Sequence, residues 1–275
     1  MDILEEQLKA QRSRKAYAEL TVAETEGVSA YKIGKKMLLL EDGTTFGTVG
    51  GGGVERQVLE DALQAIRDRK SSFYKWYEHN ADGEDIGLGC TYKAGLLVEV
   101  FNPKLQLVVC GAGHVGGAIL RLAQILPFET ILVDNRQTSQ IQDKIDLADV
   151  FVPCDTYEEG VADKNILDGA YYVCCASLHT QDKSAMKGAL KRPFAYIGML
   201  GSVQKREDIF GQLQEEGFSK ELFEKVYTPV GLDICDISPE EVAFSILSEI
   251  LMVKNEANGL PRRNRTLRPD KGCHK

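Results

Sequence analysis

The sequence predicts an α/β protein, with a parallel sheet flanked by helices on both faces in its C-terminal half and a smaller mixed α+β domain before it. Three observations carry this reading. From Leu105 onward, strand-length apolar runs alternate with amphipathic segments, the pattern of strands buried on both faces by helices. The first run, LQLVVC, leads straight into the glycine loop Gly111-Ala112-Gly113-His114-Val115-Gly116, the strand–turn–helix context that gives a GxGxxG its meaning. Before Asn102-Pro103 the rhythm is different, with strands meeting at the hairpin signal Asp42-Gly43. The expected organisation is therefore domain 1–103, a Rossmann-like domain 104–255, and a basic tail 256–275.

Within the first domain a helix is expected from Asp2 to about Arg14, then the strand AYAELTVAE ending at Gly27. A second strand covers Lys35 to Leu40, and the turn at Asp42-Gly43 pairs it with TTFGTV. Four glycines, Gly50 to Gly53, open a helix whose Val54, Val58, Leu59, Ala62, Leu63 and Ile66 share one face. FYKWYEH and AGLLVEVF close the domain as strands. In the second domain, ETILVD, DVFVP, AYYVCCA and FAYIGML are the further strands, and the first helix runs from His114 to about Leu126. The last helix starts at Ser238 as N-cap, with Pro239 next and Glu241 three past the cap.

Chemistry is concentrated in a few constellations. In the glycine loop, Gly111 permits the tight turn, Gly113 admits a pyrophosphate, Gly116 allows close helix–strand packing, and His114 lies where it can touch a ligand or serve in packing. Asp134 ends the next strand 18 residues after Gly116. There it would accept from ribose hydroxyls, favouring an NAD-like dinucleotide over a 2′-phosphorylated one, a preference that Arg136 weakens. The alternative is a scaffold of this fold that binds no dinucleotide. Gly50, Gly51, Gly52 and Gly53 would expose N–H groups beside a helix start as an anion cradle, with Glu55 and Arg56 in the first turn. Close backbone packing is the alternative there.

Gly201-Ser202 precedes Lys205 and Arg206, and Ser202 as N-cap puts both cations in a first turn, where the dipole disfavours them. Either a bound anion or the neighbouring Glu207 and Asp208 would offset that cost. His179 follows AYYVCCA and, with Asp182, could form an acid–base pair. Cys90, among Gly87, Leu88, Gly89 and Thr91, is the candidate for a reactive or metal-ligating thiol, against a plain buried cysteine.

Composition bounds the rest. A formal charge of −8 argues against nucleic acid as the main partner. Only the tail gathers cations: Arg262, Arg263, Arg265, Arg268, Lys271 and Lys275. It reads as a solvated end or as a docking segment for an acidic surface. No run approaches the length of a membrane span, and seven cysteines without a CxxC pair suit a reduced, cytoplasmic protein. No spacing suggests a closed zinc site. A homodimer is expected only as the commonest assembly of soluble chains.

Taken in order, these segments resemble the XdhC/CoxI family of accessory factors for xanthine dehydrogenase and related molybdenum hydroxylases. Gly34-Lys35-Lys36-Met37-Leu38 resembles the family's GAKML, and Gly47 to Glu55 its glycine-rich segment. VVCGAGHVG, VDNR, YIGMLGS and PVGLDI…SPEEVAFSI match in the second domain. The chain departs where the family reads G-S-x-P-R, having Gly27-Val28-Ser29-Ala30-Tyr31. It also departs around Cys90, where the family pattern is C-G-G and Thr91-Tyr92 follow the cysteine here, and at His179, which is shifted relative to T-H-x-x-x-x-D. The resemblance implies binding of the molybdenum cofactor, handling during sulfuration with a cysteine desulfurase, and delivery to an apo-hydroxylase. On that reading the cofactor sits between the Cys90 and glycine-loop region and the Rossmann domain, and the protein is a chaperone and not an enzyme. The competing functions are an NAD-binding sensor or interaction protein, and an NAD-dependent oxidoreductase using His179 and Asp182.

Overall fold

The computed structural model describes residues 3–26, 31–70, 72–79, 92–234, 237–261 and 263. Two compact units divide it, Met1–Pro103 and Lys104–Lys275.

The first unit runs α1 (Ile3–Arg12), β1 (Tyr17–Glu26), β2 (Lys36–Leu40), β3 (Thr45–Gly47), α2 (Gly52–Arg67), β4 (Phe73–His79) and β5 (Tyr92–Phe101). Its antiparallel sheet has the order β3-β2-β1-β5-β4, so β1 is central and pairs on both sides. The alternation of β1 decides which layer each residue joins. Ala18, Leu20 and Val22 point into a core with Val54, Val58, Ala62 and Ile66 of α2. Tyr17 turns the other way and packs with Leu38 and Ala10 of α1. The hairpin turn forms as expected, with Gly43 at φ 87° and the Thr44 N–H donating to Asp42 Oδ1 at 3.0 Å.

The second unit is the α/β layer structure that the apolar runs predict. It comprises β6 (Leu105–Cys110), α3 (His114–Ala123), β7 (Phe128–Asp134), α4 (Thr138–Ile145), β8 (Val150–Pro153), α5 (Tyr157–Val161) and β9 (Ala170–Cys174). It continues through α6 (His179–Leu190), β10 (Phe194–Met199), α7 (Val203–Glu215), α8 (Lys220–Phe223), β11 (Val226–Tyr227) and α9 (Pro239–Lys254). The six strands lie in the order β11-β10-β9-β6-β7-β8 and every pair is parallel. Strands β6 and β9 are buried from both sides. Val108 and Cys110 face a core with Ala185 and Met186 of α6 and Ile209 and Leu213 of α7. Leu107 and Val109 face Ile119 and Leu120 of α3 and Ile246 and Ile250 of α9.

The chain leaves β6 toward β7 and β8, then returns on the opposite side as β9. The connections after β6 and β9 therefore diverge, and the carboxyl ends of these two neighbours form the switch point where such sheets bind ligands. Strand β11, two residues long, is an element that the apolar runs do not reveal. At the start of α9, Ser238 caps as expected, its hydroxyl accepting from the Glu241 N–H at 3.3 Å.

Candidate functional site

The glycine loop sits at the switch point and its three glycines have separable roles. Gly111 has φ 119°, and a Cβ there would lie 2.7 Å from the Cys175 carbonyl oxygen, so only glycine fits. A Cβ on Gly116 would run into the Gly111 carbonyl, which fixes how closely α3 meets the turn. Gly113 is open, with nothing nearer than the Cys175 oxygen at 4.0 Å. It is the N-cap of α3, which has no side-chain cap and no acidic residue in its first turn. The exposed His114 is the first helical residue. This uncapped helix start, opening on free space, is the feature best suited to an anion.

Asp134 stands beside it at the end of β7, wholly buried. Its carboxylate serves the loop itself: Oδ2 accepts from the Ala112 N–H at 2.6 Å and from Tyr157 Oη at 3.3 Å. Arg136 folds back over the same group. Its backbone N–H and Nε each reach Oδ1 at 2.9 Å, and Nη2 reaches Oδ2 at 2.7 Å. Burial alone would raise the carboxyl's pKa, but the Arg136 and Ala112 hydrogen bonds outweigh it and hold the group below the usual aspartate value.

On the other side of the switch point, Asp182 and Lys205 form an ion pair across 23 residues of sequence. Asp182 is fully buried. One of its oxygens accepts from the Ala176 N–H at 2.8 Å and the other from Lys205 Nζ, while Lys205 also donates to the Leu200 carbonyl at 2.9 Å. Burial raises the Asp182 pKa and Lys205 opposes that shift. Gly201 lets the lysine lie across the turn, since a Cβ there would press on its side chain. Ser202 caps α7 as expected, accepting from the Lys205 N–H at 3.3 Å. Of the two cations at the start of α7, Lys205 is thus neutralised by Asp182 of α6, while Arg206 pairs with the neighbouring Glu207 at 3.5 Å, as expected.

The same geometry answers the acid–base expectation for His179. His179 is the exposed first residue of α6, whereas both oxygens of Asp182 are turned inward to Ala176 and Lys205. The two do not form a hydrogen-bonded pair. Cys175 lines the turn as a thiol, its Sγ 3.5 Å from the Gly111 carbonyl, and burial drives its pKa well above that of a free cysteine. Cys110 and Cys174, opposite each other in β6 and β9, are likewise buried and unbridged.

In the first unit the turn before α2 also has a carboxylate partner of its own. Glu55 Oε2 accepts from the N–H groups of Val49 at 3.0 Å, Gly50 at 3.2 Å and Gly51 at 2.9 Å. It also accepts from the Thr48 hydroxyl. An anion cradle is present, and this chain's own glutamate occupies its first three N–H groups. Gly52 and Gly53 begin the helix. Tyr31, at the position where the family pattern carries an arginine, accepts from the Glu55 N–H at 3.1 Å and donates to the Gly51 carbonyl. It bridges the first helical turn. Cys90, the Gly87–Thr91 segment, Gly27–Ala30, and the tail cations Arg262, Arg265, Arg268, Lys271 and Lys275 lie outside the described residues.

Among the described residues, no group of three or more histidine, cysteine or acidic side chains could hold a metal ion, and no helix is long and apolar enough to cross a membrane. A cleft of about 540 Å³ opens beyond Asp134, between the turn at Asn135–Thr138 and the end of β8. A second, of about 480 Å³, lies between His179 and α7.

Residues 107–250 match the family described as the XdhC Rossmann domain, and residues 10–76 match the XdhC and CoxI family. The chain is 29% identical over 259 residues to an Escherichia coli (strain K12) protein named uncharacterized protein YqeB, covering 94% of this chain and 47% of that protein. It is 25% identical over 162 residues to a Bacillus subtilis (strain 168) protein named as a probable xanthine dehydrogenase subunit, covering 58% and 46% respectively. The chain thus spans about half the length of the curated relatives it matches. A crystal structure described as a xanthine dehydrogenase from Bacillus halodurans superposes with a TM-score of 0.47 at 18% identity, covering 96% of this chain and 98% of that one.

Proposed function

Because the chain belongs to the XdhC and CoxI family, we propose that it is an accessory maturation factor that binds molybdenum cofactor and delivers it to a xanthine dehydrogenase-type molybdenum hydroxylase. The observation that carries the reading is the pair of family matches, which fall in order on both compact units. The site fits the phosphate end of such a cofactor: Gly113 is open, α3 is uncapped and its first turn has no acid to repel an anion. The cofactor itself supplies the molybdenum centre that the client hydroxylase uses.

What this chain's residues do is bind and orient. Gly111 and Gly116 set the turn, the Asp134 carboxylate holds the Ala112 N–H, and the first turn of α3 presents its N–H groups. Cys175 faces the same turn as a protonated thiol, so it offers a weak donor there and not a thiolate. An oxidoreductase role is disfavoured by the engagement of Asp182 with Lys205, which leaves His179 without that carboxylate to orient it.

The test is the pterin content of the chain expressed in a molybdate-fed, cofactor-producing host, read as the fluorescent oxidation product per chain. Near-stoichiometric pterin is expected, falling sharply in Gly113→Val, whose side chain fills the open approach. A preparation empty of pterin, and still empty after cofactor is added, overturns the proposal.

A further inference from the structure

The Rossmann unit has a second recognition surface that the phosphate turn does not use. Asp134 lies where a ribose diol is read in this fold, yet it has no acceptor capacity left. Five donors from Ala112, Arg136 and Tyr157 converge on its two oxygens, which offer roughly four lone-pair sites. A diol would have to displace Arg136 and leave a buried carboxylate short of its cation. Arg136, by contrast, is partly open to solvent, its side chain 35% exposed. It faces the cleft of about 540 Å³, a size usual for small-molecule sites.

The cleft is polarised. Asn135, Arg136 and Thr138 bring an amide, a guanidinium and a hydroxyl on one wall, and Asp155, Glu159 and Asp163 bring carboxylates from the end of β8 and from α5 and beyond it. A ligand suited to both walls has an anionic acceptor at one end and a hydrogen-bond-donating amine at the other. We infer that this cleft takes a 2′-phosphorylated adenosine, its phosphate on Arg136 and Thr138 and its exocyclic amine toward the acidic wall, so that the unit selects NADP-like over NAD-like nucleotides. Arg136 is the specificity residue because its Nε and Nη2 withdraw Asp134 from the diol, while the guanidinium N–H donors that Asp134 does not use are left for the phosphate. This goes beyond the maturation reading and rests only on the second unit.

Isothermal titration of the full chain with 2′-phospho-ADP-ribose and with ADP-ribose tests it. The phosphorylated compound is expected to bind tighter by about tenfold or more. Arg136→Ala should lose that compound and gain ADP-ribose, because the substitution frees Asp134 for the diol. Merely structural support by Arg136 would weaken both compounds together. Should Arg136→Ala fail to fold, Thr138→Glu serves instead, weakening the phosphorylated compound and sparing ADP-ribose. Equal or tighter ADP-ribose binding by the native chain, or heat from neither compound, overturns the inference. The titration is run on chain expressed without molybdenum cofactor, because the maturation reading seats the cofactor's phosphate on the same α3 turn. A chain that loads pterin when the cofactor is supplied, but binds neither nucleotide when empty, removes this inference and leaves the maturation reading intact.

Discussion

Asp134 gives both carboxylate oxygens to its own chain, and the consequence is measurable with acid. Its folded pKa is depressed, net of a burial effect that acts the other way. A depressed carboxylate contributes stability that is complete above its unfolded value and is lost as pH falls through the folded one. Asp134→Asn removes the charge while keeping the shape, and should cost roughly 2 kcal/mol at pH 7. The gap between native and variant should then narrow as the pH drops below about 4. Urea midpoints at pH 7 and pH 3 check this, and a gap that stays constant would mean that the Arg136 contact contributes nothing through charge. Asp134 is visible in the sequence because it ends a strand at the right interval. Its partners are not, because a contact with Arg136 two residues on looks the same in one dimension whether the arginine folds back or reaches outward. The Asp182–Lys205 pair is hidden more deeply, since only the sheet order that sets β9 beside β10 brings the starts of α6 and α7 together.

At the scale of elements, what can be read is what periodicity and capping encode. The buried face of α2, the apolar runs at the centres of strands β6, β7 and β9, and the Ser238 cap of α9 all follow from local pattern. Strand β11 does not, because two residues carry no period. The start of α2 shows the limit most clearly. Four glycines before a helix signal backbone N–H groups without partners, but not whether a ligand or the chain supplies the acceptor. Here Glu55 supplies it, and Tyr31 bridges the first turn. Glu55→Ala should destabilise the first unit by roughly 2 kcal/mol, since several N–H groups lose a charged acceptor. Inorganic phosphate should return part of that loss by entering the emptied cradle. Melting midpoints in phosphate and in chloride at matched ionic strength read this directly. If native protein and variant gain equally from phosphate, the cradle has no affinity for anions and the glycines serve packing alone.

Over the whole molecule, each unit closes a hydrophobic core of its own, around Leu20, Val58 and Leu96 in the first and around Val108, Ile131 and Tyr172 in the second. The family matches follow the same division. Nucleotide selection and cofactor carriage make different demands on this arrangement. Selection draws on residues of the second unit alone, while carriage is proposed for the chain as a whole. A cavity in the first core separates them. Leu20 is fully buried on the central strand, so Leu20→Ala should cost about 2–5 kcal/mol. That damage should lower the thermal midpoint of the first unit, while 2′-phospho-ADP-ribose binds with unchanged affinity below that midpoint. Pterin content should fall in the same variant if the first unit takes part in carriage. Loss of nucleotide binding in Leu20→Ala would mean that the second unit's cleft depends on the first, and the specificity assigned to Arg136 would then belong to the chain and not to one Rossmann unit.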